Sequence, residues 1–268
     1  MRLLRIVFKG GLLAAHIVLG TMLAVLLGRR LLGAGFALWW NRVAAAILSL
    51  RVRRKGRPLA VPALYVANHV SWIEVVALGS IIPASFVAKD DLARWPLIGR
   101  MAAAAGTLFL RRGSPQAAAR TVAAAADRLT EGGNVVVFPE GTSTSGEDVL
   151  PFRTSLFEAA AALGCDVQPV SVFYPRINGS RPVAPFISDD TFLSHLLRVL
   201  AEPEIIVEMS FTPRFSGRGR TRAELAAAAH AAVAAGLARQ RTAAFGEAPS
   251  RGVFLQTTRL LTDALTGS

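Results

Sequence analysis

The sequence predicts an α/β fold, a mixed sheet flanked by helices and preceded by an N-terminal membrane-associated helical hairpin. After Pro58, short apolar runs suited to strands alternate with helical stretches, which is the pattern of α/β proteins. Before Pro58, long apolar stretches are flanked by basic residues, and 52% of all 268 residues are hydrophobic. We therefore divide the chain into a membrane-associated helical segment (1–57), an α/β domain (58–238) and a C-terminal tail or short helix (239–268).

The charge of the N-terminal part favours a lipid surface as its partner. The first 73 residues contain eleven of the 30 Lys and Arg residues and no Asp or Glu, so they carry nearly all of the net charge of +12. A nucleic-acid-binding face would interleave basic and aromatic residues across a folded surface. Here the basic residues flank apolar runs, which favours anionic headgroups and argues against nucleic acid.

Two apolar stretches could form the hairpin. Residues 10–28 carry no charge over 19 positions, close to the roughly 20 that a helix needs to cross the hydrocarbon core. Residues 31–50 are interrupted by Asn41 and Arg42 beside two tryptophans, which favours an interfacial or re-entrant helix. The basic run 51–57 would mark the exit to the cytoplasmic face of the inner membrane. A cleaved signal peptide fits less well, because arginines occupy the expected cleavage site; whether 10–28 span the bilayer stays open.

The elements of the α/β domain follow in order along the chain. Apolar runs predict strands near residues 59–67, 84–88, 107–110, 134–138, 167–173 and 203–211. Alanine-rich stretches predict helices at residues 101–105, 158–163 and 223–238. The best-defined helix is 115–130, because Ser114 is a candidate N-cap, Pro115 takes the first helical position and two glycines follow soon after its end.

The segment Asn68-His69-Val70-Ser71-Trp72-Ile73-Glu74 is the most informative motif. It places an imidazole and a carboxylate at the start of a predicted helix, directly after a predicted strand. Histidine, with an unperturbed pKa of about 6.5, is suited to removing the proton of an alcohol that attacks a carbonyl. A carboxylate on the other ring nitrogen would fix the tautomer and stabilise the imidazolium. Ser71 to Glu74 is also a capping-box pattern, so Glu74 could bind the helix backbone instead, or do both.

Other candidate groups are weaker. We interpret His195 and His230 as structural residues of predicted helices, and His16 as a packed residue of the apolar N-terminal stretch. Cys165 is the single cysteine, and no Cys, His and Asp residues occur at ligand spacing, so we predict neither a disulfide nor a metal site. No Ser or Cys lies in a nucleophile-elbow context, which favours direct transfer over a covalent enzyme intermediate.

Four segments stand in the order of the four blocks of the glycerolipid (lysophospholipid) acyltransferases: 68–74, 106–112, 138–142 and 169–171. Over about residues 60–175 the chain therefore resembles this family, and within it the bacterial 1-acylglycerol-3-phosphate acyltransferase type. The resemblance implies an O-acyltransferase that moves a fatty acyl group from acyl-carrier protein or coenzyme A to the hydroxyl of a lysolipid. The first choice of acceptor is 1-acylglycerol-3-phosphate, giving phosphatidic acid, and no cofactor is implied.

The resemblance also implies roles for individual residues. His69 would deprotonate the acceptor hydroxyl, and Glu74 would orient its ring. The substrate-binding residues would be Arg112 for the anionic head of the acceptor, Glu140, Gly141 and Thr142 for the shape of the acceptor site, and Pro169 for the wall of the acyl pocket.

Two departures from the family pattern keep alternatives open. The first block usually ends in Asp, and Glu74 is one methylene longer. This motivates an alternative of another class, a catalytically silent membrane-anchored lipid-binding protein that would be unaffected by His69→Ala. The third block often continues with Arg, where this chain has Ser143. Its Ser/Thr-rich continuation also resembles the lyso-ornithine lipid acyltransferases, whose acceptor lacks a phosphate.

Overall fold

A computed structural model describes residues 1–31, 34–95, 97–111, 115–176, 182–187 and 190–245. The helices in these ranges are α1 (Arg2–Leu31), α2 (Ala34–Ile47), α3 (Ile73–Gly79), α4 (Ile98–Ala104), α5 (Pro115–Thr130), α6 (Glu158–Leu163), α7 (Phe192–Ala201) and α8 (Arg222–Phe245). The strands are β1 (Leu50–Lys55), β2 (Ala63–Ala67), β3 (Ala84–Lys89), β4 (Leu108–Leu110), β5 (Asn134–Val137), β6 (Asp166–Phe173), β7 (Ile205–Phe211) and β8 (Phe215–Ser216). Short 3-10 helices occupy Asp90–Arg94 and Thr154–Phe157.

The strands form one mixed sheet in the order β1-β7-β6-β2-β5-β3-β4, with β8 paired to β6. All pairs are parallel except β6 with β7 and β6 with β8. The predicted fold class is therefore confirmed. Parallel neighbours end at one edge of a sheet, and Val66 of β2 lies opposite Val137 of β5. The segments after these two strands, which carry the first and third motif blocks, consequently emerge side by side.

The central strand β2 explains why the sheet lies inside the protein. All five of its residues are buried, and alternate side chains enter opposite faces because the side-chain period of a strand is two. Leu64 and Val66 pack with residues of α5, α6 and α8, whereas Tyr65 belongs to the cluster that includes α3 and the end of α7. Helices therefore cover both faces, as a buried parallel sheet requires.

The α/β domain begins earlier than the predicted boundary at residue 58. The basic stretch assigned to the cytoplasmic exit contains β1, which pairs in parallel with β7 at the edge of the sheet. Arg51 and Arg53 form ion pairs with Glu204 and Glu208 beside them, at 3.5 and 3.3 Å. Charged side chains on an edge strand discourage pairing with other chains. Because of the same charges, β1 has no apolar run and was not predicted as a strand.

The N-terminal helices lie against the domain. α1 packs on α2, α4 and α7, and the ring of His16 stacks on Trp40 of α2 at 3.5 Å between centroids. Lys9 donates to the carbonyl of Glu202 at 2.7 Å, just after α7. The part of α1 from Arg2 to Ala24 is long and apolar enough to cross a membrane.

The C-terminal boundary also differs from its prediction. α8 continues to Phe245, so residues 239–245 extend this helix. Arg239 to Phe245 contain neither Gly nor Pro, and the first helix-breaking residue is Gly246. The remaining residues of the predicted tail, 246–268, lie outside the described part of the chain.

Candidate active site

His69 and Glu74 meet at the end of β2. His69 lies two residues beyond the strand, and Glu74 is in the first turn of α3. The Nδ1 atom of His69 is 2.9 Å from Oε2 of Glu74. The Glu74 side chain is fully buried, whereas 23% of the His69 side chain is exposed. The structure thus joins the two residues that the first motif proposed as base and orienting acid.

Glu74 also binds the backbone at the start of α3. It therefore makes both of the contacts considered for it, one with the His69 ring and one with the helix backbone. Its Oε2 accepts the backbone N–H groups of Val70 at 3.1 Å and Ser71 at 2.7 Å. Its Oε1 accepts the hydroxyl of Tyr174 at 2.5 Å. The longer side chain therefore reaches the His69 ring without leaving its capping position. A buried carboxylate with four donors is compensated for the loss of water.

The hydrogen bond to Glu74 selects the tautomer of His69. An ionised carboxylate only accepts, so Nδ1 carries the proton and Nε2 keeps its lone pair. Because Nδ1 faces a buried group, the exposed part of the ring is the edge with Nε2, and the described residues place no hydrogen-bond partner there. The ring packs on Phe138, with centroids 4.4 Å apart. This arrangement can accept a proton from a substrate hydroxyl.

Glu140 holds the backbone of the site. Its Oε1 accepts the N–H of His69 at 2.7 Å, and its Oε2 accepts the N–H of Leu150 at 2.9 Å. Burial raises the pKa of Glu140, and the two backbone hydrogen bonds oppose that rise. Each carboxylate oxygen is already engaged with protein, so Glu140 shapes the site by fixing the chain around His69.

The loop after Glu140 is tied to the same histidine. Gly141 has φ of +70°, and a Cβ there would lie 2.6 Å from Nε of Arg153, so a side chain would meet both strain and contact. Thr142 is exposed. Thr144 donates its N–H and its hydroxyl to the carbonyl of His69, at 2.9 and 3.2 Å. The three residues assigned to the acceptor site therefore lie on a loop anchored at His69.

The two remaining predicted residues are not brought to His69 by any described contact. Pro169 is buried inside β6, and its carbonyl accepts the N–H and the hydroxyl of Thr212, both at 3.0 Å. Arg112 lies outside the described residues. Its neighbour Arg111 lines a cavity of about 330 Å³ together with side chains of both charges, Lys89, Asp90, Asp91 and Arg94.

The sequence patterns missed Tyr174, and they gave no sign that His195 contacts the first motif. Tyr174 follows the apolar strand β6, and nothing local marks it as a partner of Glu74. His195 was interpreted as structural, but it reaches the first motif: its Nδ1 accepts the indole N–H of Trp72 at 3.0 Å. Its Nε2 lies 3.1 and 3.0 Å from the carbonyls of Val183 and Ala184, which accept from it. Burial lowers the pKa of His195, in keeping with a neutral ring.

Within the described ranges, no group of three or more His, Cys, Asp or Glu side chains is placed to hold a metal ion.

Sequence comparisons show relatives over most of the chain. A family described as "Acyltransferase" matches residues 49–173, a span that begins just before β1. The lyso-ornithine lipid O-acyltransferase of Pseudomonas aeruginosa is 38% identical over 258 residues, which cover 92% of this chain and 96% of the relative. The lyso-ornithine lipid O-acyltransferase of Rhodobacter capsulatus is 37% identical over 249 residues, covering 87% and 90%.

Phosphate-containing acceptors appear in the names of further relatives. The 1-acyl-sn-glycerol-3-phosphate acyltransferase of Neisseria gonorrhoeae is 33% identical over 178 residues, which cover 66% of this chain and 70% of that protein. Among solved structures, the 1-acyl-sn-glycerophosphate acyltransferase of Thermotoga maritima is similar with a TM-score of 0.68 and 20% identity, over 90% of this chain and 98% of that chain. At this identity, the structural likeness shows that the two share a fold.

Proposed function

Because this chain belongs to the acyltransferase family, we propose that it transfers a fatty acyl group to the hydroxyl of a lyso-ornithine lipid. The donor is the thioester of acyl-carrier protein or of coenzyme A. The observation that carries the proposal of catalysis is the 2.9 Å contact between His69 and Glu74, with Nε2 of His69 left for substrate. The alternative of a catalytically silent lipid-binding protein was motivated by Glu74 in place of the usual Asp. Because the longer side chain still contacts His69, this substitution no longer argues against catalysis.

The site supports a direct transfer. Nε2 of His69 takes the proton of the acceptor hydroxyl while the hydroxyl oxygen attacks the thioester carbonyl, and Glu74 stabilises the imidazolium that forms. The tetrahedral intermediate collapses by breaking the carbon–sulfur bond, and the departing thiolate receives the proton from the imidazolium. The thioester is already activated, so the reaction as proposed uses no metal or cofactor.

We place lyso-ornithine lipid ahead of 1-acylglycerol-3-phosphate, the reverse of the order that the motif blocks favoured. Two relatives named for the former match 92% and 87% of this chain, against 66% for the Neisseria gonorrhoeae relative named for the latter. The loop that follows Thr142 gives independent support. Ser143 and Thr144 are neutral side chains, so neither position offers a cation to a phosphate. Their hydroxyls are also engaged, because they donate to the carbonyls of Phe186 and His69. The second candidate acceptor is 1-acylglycerol-3-phosphate, favoured by the Neisseria relative.

We further propose that the enzyme works at the cytoplasmic face of the inner membrane, with membrane lipids as its surroundings. Supporting this, α1 exposes Leu4, Val7 and Phe8 by 68%, 64% and 65% although they are apolar. Exposed apolar side chains on one helix, with basic residues nearby, suit the boundary between headgroups and acyl chains. The lysolipid acceptor resides in the same layer.

The acceptor can be tested with purified membranes from cells that lack both activities and express this chain. Each lysolipid is supplied with radiolabelled acyl-carrier protein thioester or coenzyme A thioester, and the product is separated by chromatography. Membranes carrying His69→Ala are the matched control. We expect label in ornithine lipid. Label only in phosphatidic acid would overturn the choice of acceptor, and label only in free fatty acid would show a hydrolase.

A further inference from the structure

Glu74 receives its donors unequally. Three of them, Nδ1 of His69 and the backbone N–H groups of Val70 and Ser71, converge on Oε2. The other oxygen, Oε1, accepts from the hydroxyl of Tyr174. The carboxylate is fully buried, so water does not replace this donor. Tyr174 is the first residue after β6, and β6 is parallel to β2, so both partners emerge at the same edge of the sheet.

We propose that Tyr174 is a positioning residue for acyl transfer, whose phenol fixes the rotation of the Glu74 carboxylate and limits how strongly that carboxylate holds the His69 imidazolium. The inference rests on the proposed acyl transfer, but not on which lysolipid is the acceptor. No local pattern marks Tyr174, because its contact with Glu74 spans 100 positions of the chain.

The geometry gives Tyr174 two effects. A glutamate has one more side-chain torsion than an aspartate, so its carboxylate needs a further contact to be held in one rotation. The Tyr174 bond supplies that contact at Oε1. A donor on Oε1 also draws negative charge away from Oε2, which weakens the attraction of Glu74 for a protonated His69 ring.

The phenol is a lasting donor. Tyr174 is buried, and burial raises the pKa of its hydroxyl well above the usual value; the neighbouring charge of Glu74 raises it further. The hydroxyl therefore stays protonated where Glu74 is ionised, and it can only donate to this carboxylate.

The chain supplies a matched control, since it contains two tyrosines and both are buried. Within the described part of the chain, the hydroxyl of Tyr65 hydrogen-bonds to the backbone of Leu59: it accepts from the N–H at 3.0 Å and donates to the carbonyl at 3.4 Å. We compare Tyr174→Phe with Tyr65→Phe in the labelled-acyl assay, at several pH values and lysolipid concentrations. Melting temperatures of both variants measure the general cost of removing a buried hydroxyl.

Loss of the Tyr174 hydroxyl is expected to lower kcat roughly tenfold while KM stays within about twofold, because an outer contact orients the base and touches no substrate. The acid limb of the pH–rate profile is expected to move to higher pH, since Glu74 then holds the imidazolium more tightly. Tyr65→Phe should change neither kcat nor the position of the acid limb of the pH–rate profile. A Tyr174→Phe profile that coincides with the wild-type profile would overturn the proposal.

A second readout does not need turnover. In a Tyr65→Phe protein grown with fluorotyrosine, the single fluorinated phenol is at position 174. Its fluorine NMR resonance should shift when Glu74→Gln is added, and an unchanged resonance would overturn the contact. The fluorinated phenol is a stronger acid, so the acid limb should move to lower pH, opposite to the effect of Tyr174→Phe. If no lysolipid is acylated, the proposed function fails, and the resonance still decides whether Tyr174 senses Glu74.

Discussion

The carboxylate of Glu140 accepts the backbone N–H of His69 at 2.7 Å. This bond joins the ends of two neighbouring strands, because His69 follows β2 and Glu140 follows β5. The other oxygen of Glu140 accepts the N–H of Leu150 at 2.9 Å, which closes the intervening loop. One buried side chain thus fixes both the backbone under the base and the loop beside it.

Glu140→Gln should destabilise the protein, because an amide offers one accepting oxygen and turns a donating nitrogen towards the second backbone N–H. We expect the free energy of unfolding to fall by about 1–3 kcal/mol. Glu131→Gln is the control, since its side chain is 65% exposed in a surface ion pair with Arg128. Such pairs contribute roughly 0–1 kcal/mol. Urea unfolding measures both variants, and equal stabilities would contradict the anchoring role.

His69→Ala should remove most of the activity without unfolding the chain. General-base catalysis contributes about 10²–10⁴-fold, and we expect a loss in that range. The measurement is the initial rate of label transfer, with circular dichroism to show that the fold is retained. His230→Ala is the comparison, because the contacts described for the His230 ring, with the carbonyl of Val149 and the ring of Phe152, do not involve His69 or Glu74. Near-normal rates of label transfer in His69→Ala would contradict the role of His69 as the base.

Two substitutions of Glu74 separate its charge from its length. Glu74→Gln removes the charge that stabilises the imidazolium, and we expect kcat to fall about 10³–10⁴-fold. Glu74→Asp keeps the charge but cannot contact His69 and Tyr174 at once with the same backbone. Its kcat should drop roughly tenfold, as for loss of one supporting contact. An aspartate variant as active as the wild type would show that the longer side chain has no role.

The stability of the protein should depend on pH through His195. Burial lowers the pKa of His195 in the folded state, and Arg198 lowers it further, while Asp190 opposes this. The unfolded chain, with a histidine pKa of about 6.5, then binds the proton more readily than the folded one. The folded protein is therefore most stable at pH values above the pKa of the unfolded chain. This stability is lost as the pH falls towards the lower pKa that His195 has in the folded protein.

The matched variant is His195→Gln, which cannot titrate. The melting temperature of each protein is measured at about pH 8 and at about pH 5.5. The decrease between these two pH values should be larger for the wild type than for His195→Gln. Equal falls in the two proteins would show that another group carries the acid sensitivity.

Membrane binding should depend on the exposed face of α1. Burying a phenylalanine side chain contributes about 1.5–3 kcal/mol, so Phe8→Asp should lower the partition into anionic vesicles at least tenfold. Leu163→Asp provides the comparison, because Leu163 is 45% exposed at the end of α6. Flotation with phosphatidylglycerol vesicles measures the bound fraction, and equal binding of the two variants would place the contact elsewhere.

Much of the fold could be predicted because its signals are local. The strands later found as β2, β3, β5 and β6 are apolar runs bounded by turn residues, and α5 begins at a proline and ends before glycines. The pairing of His69 with Glu74 was equally visible, since the two residues lie within one strand-to-helix turn. Both readings of Glu74 came from the same few residues, and the structure shows both contacts.

The rest depended on contacts between distant parts of the chain. β1 carries four basic residues, so its sequence is typical of a connecting segment. It is a strand because it pairs with β7, which is distant in the chain. Tyr174 and His195 reach the first motif across 100 and 123 positions, which no local periodicity records. Glu140 was expected to shape the acceptor site, and its two backbone donors could be identified only from the fold.

The packing of α1 on α4 and α7, together with the bond from Lys9 to Glu202, joins the proposed membrane anchor to the catalytic domain. A tethered enzyme would sample many heights and tilts, whereas a rigidly joined one approaches the bilayer in a single pose. In the proposed arrangement, the N-terminal helix would set the depth in the bilayer at which the acceptor hydroxyl reaches His69. Truncating residues 1–24 would accordingly not release a soluble enzyme, because it would uncover apolar surfaces that now lie beneath α1.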